Sequence, residues 1–344
     1  MSGADTSLRL PPPLAAGAAA LGTELPLIQA GMGGVATPAL AAAVSGAGAL
    51  GTVALYKSDR ALASGLVAAT ARATPAVFGV NVIPEVAGAL LADQLRSVLE
   101  AADRELVVNS YGLPPVPFAR EVREAGHRLV VQVGAAEDAE AAVAMGARAV
   151  VLQGTDAGGH HLGTLPVRQL LARTAERRLG VPLFAAGGVH RGADLLGLAA
   201  LGASGALCGT AFVATEESGA HPAYRKALTV AGPGDTVTTD RFSIGWPGRV
   251  HRVLRSPVTE AAEPLPAHLI AWTTVMGARR PVPRGSAAAP TLEAEGRVEE
   301  MARYAGAGVA HVDAVLPAAT VVARLRDELR RAIRTEAEAV GGAR

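Results

Sequence analysis

The chain has 344 residues, half of them hydrophobic and 18% charged, which is enough for one large domain or two small ones with a proper core. Aromatic residues are only 3%, and 32 basic residues balance 31 acidic ones without a basic block or acidic tail, so neither base stacking on a nucleic acid nor a polyanionic partner is expected. The single cysteine, Cys208, excludes an intramolecular disulfide and any multi-cysteine metal cluster and fits a reducing compartment, so a cytoplasmic location is expected.

The opening MSGADTSLRLPPP lacks the charged-then-apolar pattern of a secretory signal, and its proline run reads as a flexible lead over residues 1–23. No charge occurs between Glu24 and Lys57, yet Gly31, Gly33, Gly34, Pro38, Gly46, Gly48 and Gly51 cut this stretch into pieces too short to span a bilayer. No membrane association is expected. From here eight apolar runs follow in order: PLIQAG, ALGTVA, VFGVNVI, LVVNSY, LVVQVG, AVVLQG, PLFAAG and GALCGT. Between them lie helical segments, several closed by a glycine (Gly126, Gly146, Gly180, Gly202) that supplies a left-handed cap before the next strand. Eight such units, averaging about 23 residues, predict a closed parallel (β/α)8 barrel over residues 24–230, with an open doubly wound sheet as the competing arrangement. Beyond it, residues 231–344 read as an appended, mainly helical portion packed on the barrel, with helices expected near 291–304 and 318–336.

Glycines carry most of the functional signal. Gly46-Ala-Gly48-Ala-Leu-Gly51 matches the dinucleotide fingerprint G-x-G-x-x-G, but it follows a helix and enters a strand, the reverse of the order that places a phosphate at a helix start. It reads as a structural turn. Gly187 and Gly188 in AAGGV, with Gly209 and Thr210 in CGTAF, fall where the seventh and eighth barrel strands end, the place where such barrels offer backbone N–H groups to a phosphate.

These motifs carry a family resemblance. PLIQAGMGGVATPALAAAVSGAGALG, FGVNVI, QGTDAGGHHLG, PLFAAGGV and GTAFVATEESGAHPAY follow one another as in FMN-dependent nitronate monooxygenases, formerly called 2-nitropropane dioxygenases. The resemblance covers about residues 24–230 and implies a TIM barrel. It extends to a superfamily that includes FMN-dependent enoyl-acyl-carrier-protein reductases and NAD(P)H:quinone reductases, although NSYGLPP is more similar to the S-x-x-G-L-P segment of the nitronate oxidisers. One departure is HHLG, where many relatives have one histidine, another residue and glycine.

By resemblance, Asn81 hydrogen-bonds the flavin ring, the segment Gln29, Ala30, Gly31 and Met32 lines one side of it, and Gln153 begins the loop beside it. Gln169 resembles a glutamine near the flavin, and Gly187, Gly188, Gly209 and Thr210 resemble the phosphate cradle. Gly158 and Gly159 would let backbone lie against the isoalloxazine and point His160 over its reactive edge. Imidazole suits that position because its pKa near about 6.5 lets it accept a proton or carry charge near neutrality. As histidinium or as a hydrogen-bonding ring, His160 would position an anionic nitronate while flavin and molecular oxygen complete its oxidation to a carbonyl compound and nitrite. His160 is therefore the expected catalytic residue, with His161 and Tyr111 as substrate-pocket candidates. No metal site is expected, because neither a helical His-x-x-x-His nor clustered carboxylates accompany the histidines.

Other residues have plainer readings: Cys208 as a buried structural thiol, Asp156 as a turn carboxylate, His221 as a helix cap, and Trp246 and Trp272 as pocket roof or helix packing. The sequence thus predicts an FMN enzyme that oxidises small nitronates with O2 as co-substrate. The alternatives are an NAD(P)H-dependent flavin reductase of enoyl thioesters or quinones, and a flavin-free barrel binding a phosphorylated metabolite. A homo-oligomer is compatible with either enzyme.

Overall fold

The computed structural model describes residues 9–275 and 277–341. All eight apolar runs become strands: β1 (Leu27–Gln29), β2 (Thr52–Ala54), β3 (Gly79–Val82), β4 (Val107–Tyr111), β5 (Arg128–Val133), β6 (Ala149–Gln153), β8 (Leu183–Ala186) and β9 (Gly205–Cys208). The two-residue strand β7 (Gly159–His160) lies in the loop after β6. The eight strands form one parallel sheet in the order β1-β9-β8-β6-β5-β4-β3-β2. Its two ends meet through the Ile28–Leu50 bridge, so the sheet is a TIM-type barrel and not an open doubly wound layer.

The seam between β1 and β2 explains one residue that the sequence assigned elsewhere. Backbone bonds from Leu50 N to Leu27 O and from Gln29 N to Leu50 O (both 2.8 Å) close part of it. Next in the ladder, Gln29 Oε1 accepts from Thr52 N at 2.8 Å. The Gln29 side chain is fully buried in that seam, bracing barrel closure.

Alternation along each strand divides the core. Ile28, Leu50, Val107, Val130, Val151, Phe184 and Leu207 form the barrel interior, while Val108, Val131, Val150, Ala185, Ala206 and Cys208 pack outward under the helices. Two positions further along β4, β5 and β6, the inward residues are Asn109, Gln132 and Gln153, and Asn81 pairs in register with Asn109. The interior therefore turns polar at the carboxyl ends of the strands.

Two expectations are corrected. Residues 1–8 of the lead lie outside the described residues, but the part that follows is ordered: Pro12–Leu21 is a helix with prolines in its first turn, where a missing N–H costs nothing. Its Ala20 and Leu21 enter the interior cluster, so this helix plugs the amino-terminal end of the barrel. Arg128 Nη1 donates to the carbonyls of Ala19 and Ala20 at its end (both 3.2 Å). The plug was hidden because an Ala-Gly-Leu segment has little amphipathic contrast.

The appended portion contains the expected helix, Ala318–Gly341, whose Val322, Leu325 and Leu329 return to the barrel core. Apart from one short helix, Pro257–Glu260, and two 3-10 turns, its other described elements are strands and loops. Strands β10 (Thr236–Thr239) and β11 (His251–Leu254) form a three-stranded sheet with β7, and β12 (Leu269–Val275), β13 (Ala278–Pro283) and β14 (Glu295–Gly296) form another. No α-helix forms over 291–304; the only helical piece there is a single 3-10 turn, Val298–Glu300. There Gly296 takes φ +123° and β14 pairs with β12, so tertiary pairing overrides helix-favouring composition. No described helix is long and apolar enough to cross a membrane.

The plug gives a stability test. A Cβ on Gly17 would lie 1.7 Å from the Ser204 carbonyl oxygen, whereas one on Gly65, in helix Arg60–Ala73, meets nothing within 4 Å. Gly65→Ala is expected to stabilise by up to about 1 kcal/mol through helix propensity. Gly17→Ala should instead destabilise by about 1–3 kcal/mol through overpacking. Thermal or urea unfolding of the two variants measures both signs; equal stabilisation would mean that the helix does not seat on the barrel.

Candidate active site

A cavity opens at the carboxyl ends of the strands. Ala30, Gly31, Met32, Asn81, Tyr111, Gln153, Gly158, Gly159, His160, Gly187, Gly188, Gly209 and Thr210 all line it. Three sequence candidates do not. Gln29 is in the barrel seam. Gln169 is exposed on helix Val167–Ala175, whose Val167, Leu170 and Leu171 face the core, so the helical period turns the amide to solvent. His161 is buried beside the loop, its Nε2 3.0 Å from the Ala157 carbonyl oxygen. Adjacent side chains diverge, and this one packs the loop.

The loop after β6 is held from three sides. Gln153 Nε2 donates to the His160 carbonyl at 2.8 Å while its Oε1 accepts from Leu162 N at 2.9 Å. Tyr111 Oη donates to the same carbonyl at 2.6 Å. Strand β7 pairs antiparallel with β11, His160 opposite His251 and Gly159 opposite Arg252, and His161 N donates to Val250 O at 2.8 Å. Glycine is needed twice here: Gly159 has φ +85°, and a Cβ on Gly158 would lie 2.6 Å from the Ala305 backbone. Asp156 Oδ2 accepts from Val167 N at 3.0 Å, a loop-to-helix brace.

His160 is only 6% exposed. Its ring stacks on Trp246 at a centroid distance of 3.9 Å, with His251 at 5.0 Å and Tyr304 at 5.3 Å. Its Nε2 is buried without a hydrogen-bond partner among the described residues. Burial, reinforced by His251, His161 and Arg249, pushes the imidazole down to about 3. The ring is therefore neutral near pH 7, which removes the histidinium option. His251 is also held neutral, chiefly by burial, as its Nε2 accepts from Phe242 N at 3.2 Å and its Nδ1 faces Arg249 O at 3.1 Å.

Trp246 lines the cavity as a roof, while Trp272 lies under the Arg279 guanidinium at 4.4 Å on β12. Cys208 lies in the outward-facing cluster and burial raises its thiol to about 12, which fits a structural role. His221 Nδ1 accepts from Ala223 N at 3.1 Å, capping helix Pro222–Thr229. Sequence reasoning missed Tyr56, Tyr304, His190 and His311 as lining residues and Asn109 below them. Asn109 is 1% exposed, and neither polar atom of its amide has a partner among the described residues. An asparagine inside an apolar strand run was its available signal. Tyr304 and His311 gave none, since loops bring them to the mouth.

The family model for nitronate monooxygenase matches residues 16–328. The chain belongs to the nitronate monooxygenase family. It is 30% identical to the nitronate monooxygenase of Paraburkholderia phytofirmans, over 91% of this chain and 94% of that one. It is 31% identical to that of Pseudomonas aeruginosa, over 90% and 97%. Among solved structures, FabK from Thermotoga maritima superposes with a TM-score of 0.78 at 26% identity, covering 93% of this chain and 97% of the other. Nitroalkane oxidase from Streptomyces ansochromogenes gives 0.72 at 28% identity, covering 91% and 98%. Members of the family are flavin-dependent oxidoreductases, and this chain is an enzyme of that type.

The buried histidines make stability pH-dependent. His160 falls from an ordinary 6.5 to about 3 in the fold, so the folded chain binds fewer protons and stability drops as pH falls below 6.5. Between pH 7 and pH 5 the flavin-free protein should lose about 2 kcal/mol through this residue alone. His160→Asn should remove that share of the slope in urea titrations at the two pH values. An unchanged slope would show that His160 is not buried in the folded protein.

Proposed function

We propose that the chain binds FMN and oxidises small alkyl nitronates with molecular oxygen, giving a carbonyl compound and nitrite. The observation that carries this reading is the neutral, unpartnered His160 Nε2 beneath an aromatic roof, inside a cavity lined below by Asn81, Gln132 and Gln153.

The residues present fit the cofactor. Asn81 and Gln132 line the cavity, Asn81 held by its Nδ2 donating to the Asn109 carbonyl at 3.2 Å, and their amides suit the hydrogen-bonding edge of a flat heteroaromatic ring. A Cβ on Gly31 would lie 2.2 Å from that of Asn81, so glycine there keeps the floor in place. Gly187, Gly188 and Gly209 bring backbone to the cavity for one phosphate, in keeping with a mononucleotide. The GAGALG turn, with Gly48 at φ +91° between a helix and β2, offers no second phosphate site.

Bound flavin supplies the electron-accepting and oxygen-reactive chemistry. The chain's own part is to position substrate and handle its proton. Burial makes neutral His160 a weak base, so its Nε2 takes the α-proton of a neutral nitroalkane only as the nitronate anion forming beside it favours the imidazolium, a step that a preformed nitronate does not need. Gln153 and Tyr111 fix the ring by holding its carbonyl, and Trp246 and Tyr304 limit water around it. The buried cysteine fits a reducing, cytoplasmic setting. The superfamily resemblance of the sequence keeps a second reading, NAD(P)H-dependent reduction of an enoyl thioester or quinone.

Purified protein should be yellow and release FMN, not FAD, on denaturation; protein that stays colourless after incubation with FMN would refute the cofactor assignment. In anaerobic mixing, ethylnitronate or propionate-3-nitronate should reduce the flavin rapidly and NAD(P)H slowly or not at all. Fast bleaching by NADPH with no response to either nitronate would transfer the assignment to the reductase.

His160→Asn should keep bound FMN and lower turnover of a neutral nitroalkane by about 10² to 10⁴-fold, with a smaller loss for its nitronate. His161→Asn should have much less effect on both. Damage from the His161 change with full activity of His160→Asn would place the catalytic group one residue along.

A further inference from the structure

The cavity is also lined by a second pair of histidines, His190 and His311, outside the ring cluster around His160. Among the described residues, no lysine or arginine lines the cavity; its only groups able to become cationic are His160, His190 and His311. A phosphate monoester brings about −1.5 to −2 charges near neutral pH, and glycine N–H groups supply dipoles but no counter-charge. His160 is enclosed by Trp246, Tyr304 and His251. His190 follows Gly188 by two residues in the loop after β8. It stacks on His311 at 5.2 Å with an interplanar angle of 17°.

The backbone is arranged around that pair. Asp194 Oδ2 accepts from His190 N at 3.0 Å and from Arg191 N at 2.9 Å, which fixes where the His190 ring leaves the chain. A Cβ on Gly308 would lie 1.8 Å from the His190 ring, so the segment carrying His311 approaches as only glycine allows. Two residues earlier, Gly306 N donates to Thr210 Oγ1 at 2.9 Å, tying this segment to the predicted phosphate cradle. Neither histidine ring has a hydrogen-bond partner among the described residues.

We propose that His190 and His311 are the cationic half of the phosphate subsite, sharing one proton that is taken up when the phosphate monoester of the cofactor binds. This rests on the FMN reading above. One proton is the expected number, because two stacked imidazolium rings would repel each other. Burial holds His190 below its ordinary value in the free protein; Asp194 and Asp156 oppose that shift, while His311 and Arg191 add to it. Of the other charged groups nearby, Glu328 on the C-terminal helix is engaged by Gly192 N at 2.8 Å, and Asp313 pairs with Arg324 at 3.2 Å. A bound dianion becomes the dominant neighbour and favours the charged pair. Affinity for FMN then falls as pH rises and the bound pair gives up its proton.

The test uses the full-length chain stripped of flavin and titrated by calorimetry with FMN and with riboflavin, which lacks the phosphate. Wild type should bind FMN about tenfold more weakly at pH 8 than at pH 6 and take up roughly 0.5–1 proton at pH 7.5, read in two buffers of different ionisation enthalpy. Riboflavin binding should be independent of pH. His311→Asn, at an exposed position, and the His190→Asn/His311→Asn double variant should bind riboflavin like wild type. With FMN they should bind more weakly at pH 6 and take up little or no proton. Titration of the phosphate itself persists in the variants, so the difference from wild type isolates the pair. Equal proton uptake in wild type and both variants would overturn the role of the pair alone. Failure of wild type to bind FMN while riboflavin also fails would overturn the cofactor reading and the pair's role with it.

Discussion

Two residues of backbone, Gly159 and His160, paired with Arg252 and His251, hold this molecule's functional end together. The loop after β6 has too little apolar surface to order itself, and its glycines raise the entropy of doing so. Pairing with β11 supplies the missing constraint from 90 residues away in sequence. The Gln153 and Tyr111 bonds to the His160 carbonyl fix the other side of the same peptide. Gly158 then has to be glycine, because the returning chain at Ala305 and Gly306 passes directly over it. The C-terminal portion is therefore part of the barrel mouth. It supplies Trp246, His251 and Tyr304 around His160, Gly306 bonded to Thr210, and His311 stacked on His190.

The barrel itself supplies a graded interior. Strand alternation sends one residue in two inward, and these change from Val107, Val130 and Val151 to Asn109, Gln132 and Gln153 along three neighbouring strands. Below, the apolar layers and the helical plug exclude water; above, the amides present hydrogen-bonding groups that the protein leaves partly unused. An unpartnered buried amide is costly, by about 1–3 kcal/mol, and the fold carries one at Asn109 on β4. The same reasoning applies to His160 Nε2. Burial in an aromatic enclosure keeps that ring neutral by weakening it as a base, which does not suit a fixed cation.

Much of this was legible in the sequence. Eight buried strands with glycine caps are local patterns: Gly126, Gly146, Gly180 and Gly202 all have positive φ, as their position after a helix required. The structural reading of GAGALG followed from element order alone, and so did the placement of Gly187, Gly188, Gly209 and Thr210 together at one end of the barrel. His160 stood out by its glycines and by family resemblance. Gln29 and Gln169 were misplaced for a common reason: a residue type and an approximate position do not fix which way a side chain points. Strand parity put Gln29 in the seam, and helical period put Gln169 in solvent.

What the sequence by itself determined was the set of elements whose signals lie within a few residues of one another: strand, helix, cap and turn, and through them the barrel. What only the tertiary structure decided was everything that depends on chain separated by tens to hundreds of residues. The plug formed by Pro12–Leu21 exists because the barrel has an open apolar end to fill. The two-residue strand β14 and a 3-10 turn stand where an α-helix was expected over 291–304, because β12 offered β14 an edge to pair with. The neighbours of His160, and with them its protonation state, were set by Trp246, His251 and Tyr304, none of which its own loop can specify. Hydrogen bonding within a turn or cap is a local property of the chain, whereas burial and electrostatic environment belong to whatever the completed fold brings alongside.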